Sequence, residues 1–388
     1  MKIYQNHLAI IFLFIPLFLH WLLPEGEVWE QAFTTIRFRQ FKYSWVCVFY
    51  FLFYLFYSPY KQNARLRKLK PLMVFGLFLC PLVLMIAENG KYAFELFLSA
   101  IPFYMVPIIL ITRPLNKEDL NILKYPILLV FLITVYSYAN STFTNGGFSR
   151  PITLIGDTNA SSFFLATLSC VISNIYCKSN TTRIALLLFS MALLIAGACR
   201  GALLLMGVMC GVYLFQELKY SRWYYKFLLI ICIATFIVIC FRLELFNGLA
   251  FRSEELIGAD ITSGRTSRAT FVINNTWKDS PLFGVGHGRV FPTSKDLLTL
   301  KNDHNLIISS YSGAPHNIYV LAFGEYGIIG IILLIIGLIY LLTGLNYNDF
   351  LSFLVLALIF ICGNTEAILF QDDFWPLFWI IVSLARKV

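Results

Sequence analysis

Charge is what this sequence has least of: Asp, Glu, Lys and Arg make up 13% of its 388 residues, against about 25% in soluble globular domains. A large soluble enzyme domain and a disordered chain are both excluded by that shortage. Strict apolar/polar alternation in segments of about ten residues is also missing, which rules out a transmembrane β-barrel. The nine cysteines all lie in or at the ends of apolar segments, so neither a disulfide framework nor a CxxC metal site is present. HExxH, HxxxH and paired carboxylates at metal spacing are absent as well, and no protein-bound catalytic metal and no cofactor is expected. Internal repeats and low-complexity segments are missing, as are the paired broken helices of an inverted-repeat transporter.

What the chain has instead is apolar bulk: 59% hydrophobic residues and a mean hydropathy of +0.73. Apolar stretches of about 16 to 22 residues recur along nearly the whole length, the length an α-helix needs to cross a hydrocarbon core of about 30 Å. The fold class is therefore all-α, a polytopic integral membrane protein. Twelve spans are expected, at 7–23, 43–59, 71–87, 94–112, 126–139, 160–176, 184–199, 201–217, 227–245, 317–345, 350–370 and 374–385. The first apolar run, Leu8 to Leu23, lacks a small-residue cleavage site and reads as a retained span.

Acids are fewer than bases, 21 against 30, a formal charge of +9. Much of the excess lies in short loops, where it reports membrane orientation rather than nucleic-acid binding. The loop 60–70 (YKQNARLRKLK) holds five positive residues and no acid. It shares a side with 113–125, 177–183, 216–226 and both termini, which places those parts in the cytoplasm; 24–42, with three positives on the other side, and 346–349, with none on this one, fit the rule less well. One outward loop is large. The chain thus divides into 1–245 with nine spans, a loop at 246–316, and 317–388 with three spans. Between Arg252 and Lys301 the loop carries five acids and seven bases, and it holds three of the five histidines, His287, His304 and His316.

Several residues in this frame bear chemistry. Arg200 sits between two apolar runs with Arg200-Gly201 as the turn, where a charge must be paired, face water or serve a site; snorkelling at a hairpin turn is the plainer alternative. Gly264-Arg265-Thr-Ser-Arg268 opens an amphipathic helix on the outer surface, ending at Lys278-Asp-Ser-Pro281. Arg265 and Arg268 share a face of its first turn and form a fork suited to phosphate or diphosphate, or else a solvated helix start on headgroups. Gly284-Val-Gly286-His287-Gly288-Arg289 is a tight glycine turn, neither a dinucleotide fingerprint nor a P-loop, and His287 is either a ligand contact or a turn residue. Pro315 starts a membrane-entering helix with His316 and Asn317 in its first turn. Gly324, Gly327 and Gly330 fall near the face of His316 and allow close approach there. His316 is placed as a general base for a hydroxyl group, with simple helix capping as the alternative. Asp157 and Asn159 open the sixth span as helix-start residues, and the intramembrane Glu325 and Glu366 are expected to pair with an arginine.

The order Gly264-Arg265, Trp277-Lys-Asp-Ser-Pro-Leu-Phe-Gly-Val-Gly286, then Pro315-His316-Asn317 with Glu325, Gly327 and Gly330, resembles the large-loop pattern of the bacterial O-antigen ligase and polymerase superfamily. Asp157-Thr-Asn159 and Cys199-Arg200-Gly201 support the resemblance. Thr158 departs from a frequent proline and Cys199 from a frequent serine. The resemblance implies a fold of the C-type glycosyltransferase kind in the bacterial inner membrane, with a periplasmic active site. The donor is a glycan on undecaprenyl diphosphate, the acceptor a sugar hydroxyl, and no metal is required. It implies His316 and Arg265 as catalytic, with Arg200, Arg268, His287, Arg289 and Asn317 binding diphosphate or glycan, and membrane lipid and a chain-length regulator protein as partners. The wording around Asp157, Arg200 and Pro281 is closer to a polymerase, which extends another lipid-linked repeat unit. A ligase, which transfers to lipid A–core, and a lipid-linked oligosaccharide flippase stay open as alternatives.

Overall fold

The computed structural model describes residues 115, 117–144, 158–197, 199–220, 265–285, 317–347, 349–365 and 374–386. Among these every regular element is helical: α1 (Lys117–Thr144), α2 (Thr158–Ile175), α3 (Asn180–Ala196), α4 (Arg200–Tyr220), α5 (Arg265–Asp279), α6 (Ile318–Gly344), α7 (Phe350–Ala357), a π-turn (Leu358–Cys362), α8 (Gly363–Thr365) and α9 (Phe374–Ala385). The expected spans at 7–23, 43–59, 71–87, 94–112 and 227–245 lie outside the described residues. Two helices contain segments long and apolar enough to cross a membrane, Leu123–Asn140 and Ile318–Gly344, and four shorter helices are also apolar.

α1 begins nine residues before the expected 126 and passes through Pro126. Proline removes one helical hydrogen bond and usually starts or kinks a helix. Here Leu123, Ile127, Val130, Phe131, Thr134 and Tyr138 are buried at helical spacing on both sides of it, and that continuous stripe carries the helix across the break.

α2 is the hub, packed against α1, α3, α4 and α7. It is lined with small polar residues, and Ser161, Ser162, Thr167, Ser169 and Ser173 are all buried. Small side chains allow membrane helices to approach, and their hydroxyls bond across or back onto the helix. The Ser169 hydroxyl pairs with Ser190 of α3 at 2.7 Å and also lies 2.7 Å from the Leu165 carbonyl; Ser162 pairs with Tyr138 of α1 at 3.1 Å. Gly197 caps α3 by donating its N–H to the Leu193 carbonyl at 2.9 Å. A Cβ on Gly197 would meet the Tyr138 hydroxyl and ring carbons, so glycine is required for space.

Hydrogen bonds fix which helix ends share a side. The Tyr176 hydroxyl, just after α2, donates to the Leu120 carbonyl in the first turn of α1 at 2.9 Å, and Leu115 N–H donates to Ser383 of α9 at 3.0 Å. Asn346 N–H donates to the Ala385 carbonyl at 2.9 Å, and the Ser352 hydroxyl donates to the same carbonyl at 3.1 Å. Arg386 stacks over the Tyr340 ring at 4.8 Å. The segments near 115–125, 176–177, 345–352 and 383–386 thus form one end of the bundle.

The hub predicts a measurable coupling. Gly197→Ala, which forces overpacking against Tyr138, is expected to destabilise the bundle by about 1–3 kcal/mol, read as the unfolding midpoint in detergent. Adding Tyr138→Phe removes the clashing hydroxyl, so the double variant should recover part of that loss; a purely additive result would disprove the contact.

Candidate active site at the opposite end

The other end of the bundle collects the chemistry-bearing segments. α4 runs antiparallel to α7, because Tyr213 near its C-terminus meets Phe350 at the start of α7 with ring centroids 6.4 Å apart while α4 also packs on the π-turn. The start of α4 therefore lies at the level of the π-turn. That start is Arg200, which is exposed. α3 ends at Gly197, before the expected turn at Arg200-Gly201, and Arg200 is already the first residue of α4. Just before it, the Cys199 thiol donates to Asn159 Oδ1 at 3.7 Å. The start of α2 and the Cys199-Arg200 segment, 40 residues apart in sequence, are thereby joined.

The head of α6 sits on the same end. Asn317 is its N-cap, and its Oδ1 accepts from the Tyr319 and Val320 amides at 2.9 and 3.0 Å. Helix α6 therefore starts at Ile318, and the expected placement of His316 and Asn317 within its first turn shifts by one step: the asparagine takes the cap because its short side chain folds back onto the free amides. The other face of the Asn317 amide donates to Asn364 Oδ1 at 3.3 Å, and Asn364 donates to the Phe360 carbonyl at 2.7 Å. A π-turn leaves carbonyls outside the regular i→i−4 ladder, and Asn364 and the Tyr319 hydroxyl, 3.5 Å from the Ile359 carbonyl, are placed to use them. Gly363 makes room for this contact, since a Cβ there would lie 2.9 Å from Ile318 Cδ1. Asn364, Tyr319 and the π-turn were not singled out from sequence; the only signal was Gly-Asn within an apolar run.

α6 is not one continuous helix. Gly327 has φ 64° and ψ −153°, a region open essentially to glycine alone. In an unbroken helix the Ile328 amide would donate to the Gly324 carbonyl. Instead Ile328 N–H donates to the Pro281 carbonyl at 2.9 Å, Ile329 N–H to the Leu282 carbonyl at 3.3 Å, and the Gly324 carbonyl accepts from Val285 N–H at 2.8 Å. The Pro281–Val285 turn after α5 thus supplies the partners that the broken helix lacks. Contact is backbone to backbone. A Cβ on Gly327 would meet the Leu282 and Pro281 carbonyl groups, and one on Gly284, itself at φ 71°, would meet the Glu325–Tyr326 peptide.

This clasp docks α5 along α6, so the amphipathic helix leans on a membrane helix through one face. Val272 and Thr276 are buried, while Ile273, Trp277, Leu282 and Phe283 are exposed. Trp277 stacks on Phe323 at 6.3 Å and 29°; each lies four residues before the clasp on its own helix. Both helices point their N-termini away from the clasp in the same sense. By helix rise, Phe271 comes about level with Asn317, and Arg268 and Arg265 extend one and two turns further. Glu325 is buried beside the clasp. Asp157, His287, Arg289, His304, His316 and Glu366 lie outside the described residues.

Among the described residues the arrangement is an apolar helical bundle with the candidate-site segments at one end. Residues 184–335, from α3 through the clasp to α6, match the family described as O-antigen ligase. The chain matches no curated protein.

Capping gives Asn317 a role separable from chemistry. Asn317→Ala should cost about 0.5–2 kcal/mol of stability through two unsatisfied amides, and Asn317→Asp, which caps as well, should not. Thermal unfolding of the two purified variants measures this; equal midpoints would remove the capping assignment.

Proposed function

We propose that the protein is a surface-polysaccharide polymerase: it transfers the glycan of an undecaprenyl-diphosphate donor to a sugar hydroxyl of another lipid-linked repeat unit, at the periplasmic face of the bacterial inner membrane. The observation that carries the reading is the convergence of the Arg200, Arg265–Arg268 and Asn317 segments on one end of the bundle, inside a stretch matched by the O-antigen ligase family. In this scheme Arg265 and Arg200, supported by Arg268, His287 and Arg289, hold the diphosphate, and His316, next to the Asn317 cap, takes the hydroxyl proton. The acceptor oxygen bonds to the anomeric carbon while the bond to the diphosphate oxygen breaks. A diphosphate leaves with its charge already delocalised, and fixed guanidiniums stabilise it further without proton bookkeeping. A ligase that transfers the same glycan to lipid A–core is the second reading, favoured by the description of the matched family. A flippase ranks below both, since polar residues would then be expected at several depths in both halves.

Topology supports or sinks the proposal first. With both termini cytoplasmic and 246–316 as one outward loop, a reporter active only in the periplasm should work when fused after Lys295 and stay silent after Lys68. The opposite pattern would put the site on the wrong side of the membrane.

Chemistry follows. Arg265→Lys and Arg200→Lys keep the charge but lose the paired bonds of a planar fork, so transfer from synthetic undecaprenyl-diphosphate repeats should fall steeply at normal protein levels. His316→Ala should slow turnover by about 10²- to 10⁴-fold while donor binding survives. Asn317 already occupies the cap, so His316→Asn should not rescue the rate; wild-type turnover in that variant would eliminate the base.

A further inference from the structure

We infer that Gly284 and Gly327 are positioning residues for the transfer reaction: their backbone clasp sets the register of the arginine-bearing helix α5 against the head of α6. The inference rests on the function proposed above and adds to it two residues that touch no substrate.

Three observations carry it. The clasp consists of main-chain bonds at 2.8, 2.9 and 3.3 Å, so it fixes position without depending on side-chain rotamers. Neither glycine tolerates a Cβ: at Gly327 both the dihedral angles and the Leu282 carbonyl forbid it, and at Gly284 the Glu325 and Tyr326 backbone does. The functional segments stand away from the clasp along two helices, Asn317 at about 15 Å and Arg268 at about 20 Å by helix rise. Those helices touch at Trp277 and Phe323 on the way. A small shift at the clasp therefore moves the arginine end of α5 relative to the head of α6 while leaving each helix intact. Misplacement of reacting groups by about 1 Å is enough to cost on the order of 10²-fold in rate. The clasp also sits where α6 changes surroundings. Ile318, Leu321, Ala322, Gly324, Gly327 and Gly330 are buried, whereas Ile332, Leu333, Ile335, Ile336 and Ile339 beyond them are exposed. The break thus separates a clamped, protein-covered segment from an apolar anchor.

The experiment uses the full-length purified chain, with steady-state kinetics on a synthetic undecaprenyl-diphosphate repeat and hydrogen exchange on the same samples. Gly327→Ala and Gly284→Ala are expected to lower kcat about 10²-fold with KM for the donor within about threefold, because α5 and its arginines still form. Exchange at the Val285, Ile328 and Ile329 amides should quicken, while protection across Phe163–Leu168 in the α2 hub stays unchanged. Gly284→Asn separates the two properties of glycine: asparagine accepts a positive φ but still brings a Cβ against Glu325, so it should be as slow as Gly284→Ala. Ile339→Ala, which alters an exposed side chain of α6 beyond the clasp, should turn over normally. Wild-type kcat in the alanine variants, full activity in Gly284→Asn, or loss of α2 protection alongside the lost rate would each overturn the positioning role. A slow Arg265→Lys beside fully active glycine variants would sink this inference alone, whereas a wild-type chain without transfer would sink the proposed function beneath it.

Discussion

A break in an apolar helix is tolerable only if the backbone groups it frees find new partners, and at Gly327 the Pro281–Val285 turn provides them. The Gly324 carbonyl and the Ile328 and Ile329 amides all find partners there. The constraint acts in both directions. α6 holds its bend because the turn completes its hydrogen bonds, and α5 has a fixed seat because the bend exposes those groups. Two segments separated in sequence by more than thirty residues thereby become one local structure, and the stacking of Trp277 on Phe323 follows from the register that the backbone sets.

The same economy recurs where the other functional segments are anchored. Asn317 is held by two amides of its own helix and by Asn364, and Asn364 in turn uses a carbonyl of the π-turn. Cys199 meets Asn159 immediately before Arg200. In both cases a short side chain closes or steadies a helix end, and at Cys199 the arginine next to it is left exposed. Helix ends are natural places for this, since their unpaired donors and acceptors must be satisfied in any case and their surroundings are the least crowded part of an apolar bundle.

Much of the helix inventory was legible because hydrophobic run length is a strong signal in a membrane protein. The described helices α1 to α4, α6, α7 and α9 fall where apolar runs were marked, and α5 falls where the amphipathic periodicity was. What was hard to read has specific causes. The expected span began only at 126, because the residues before Pro126 are more polar, while the stripe from Leu123 to Tyr138 that carries the helix through the proline is a matter of packing. The turn was placed at Arg200-Gly201 on the strength of charge, when the residue that needs to be glycine is Gly197, one turn earlier, because of a tyrosine on another helix. Gly324, Gly327 and Gly330 announced a close approach, and the identity of the approaching segment was not deducible since it comes from a distant loop. The π-turn left no mark beyond Gly363-Asn364.

A site built this way suits chemistry on a charged leaving group at a membrane surface. Under the proposed function, the groups that must meet the diphosphate are guanidiniums on the starts of two different helices, and the group that must meet the acceptor precedes a third. Ion pairs between those helices would fix them in place but would also neutralise the arginines needed for the substrate. Backbone bonds and caps avoid the conflict, because they carry no net charge and are satisfied before substrate arrives. Positioning by main chain and recognition by side chain are thus divided among different atoms, and the glycines of the clasp are the point at which that division is enforced.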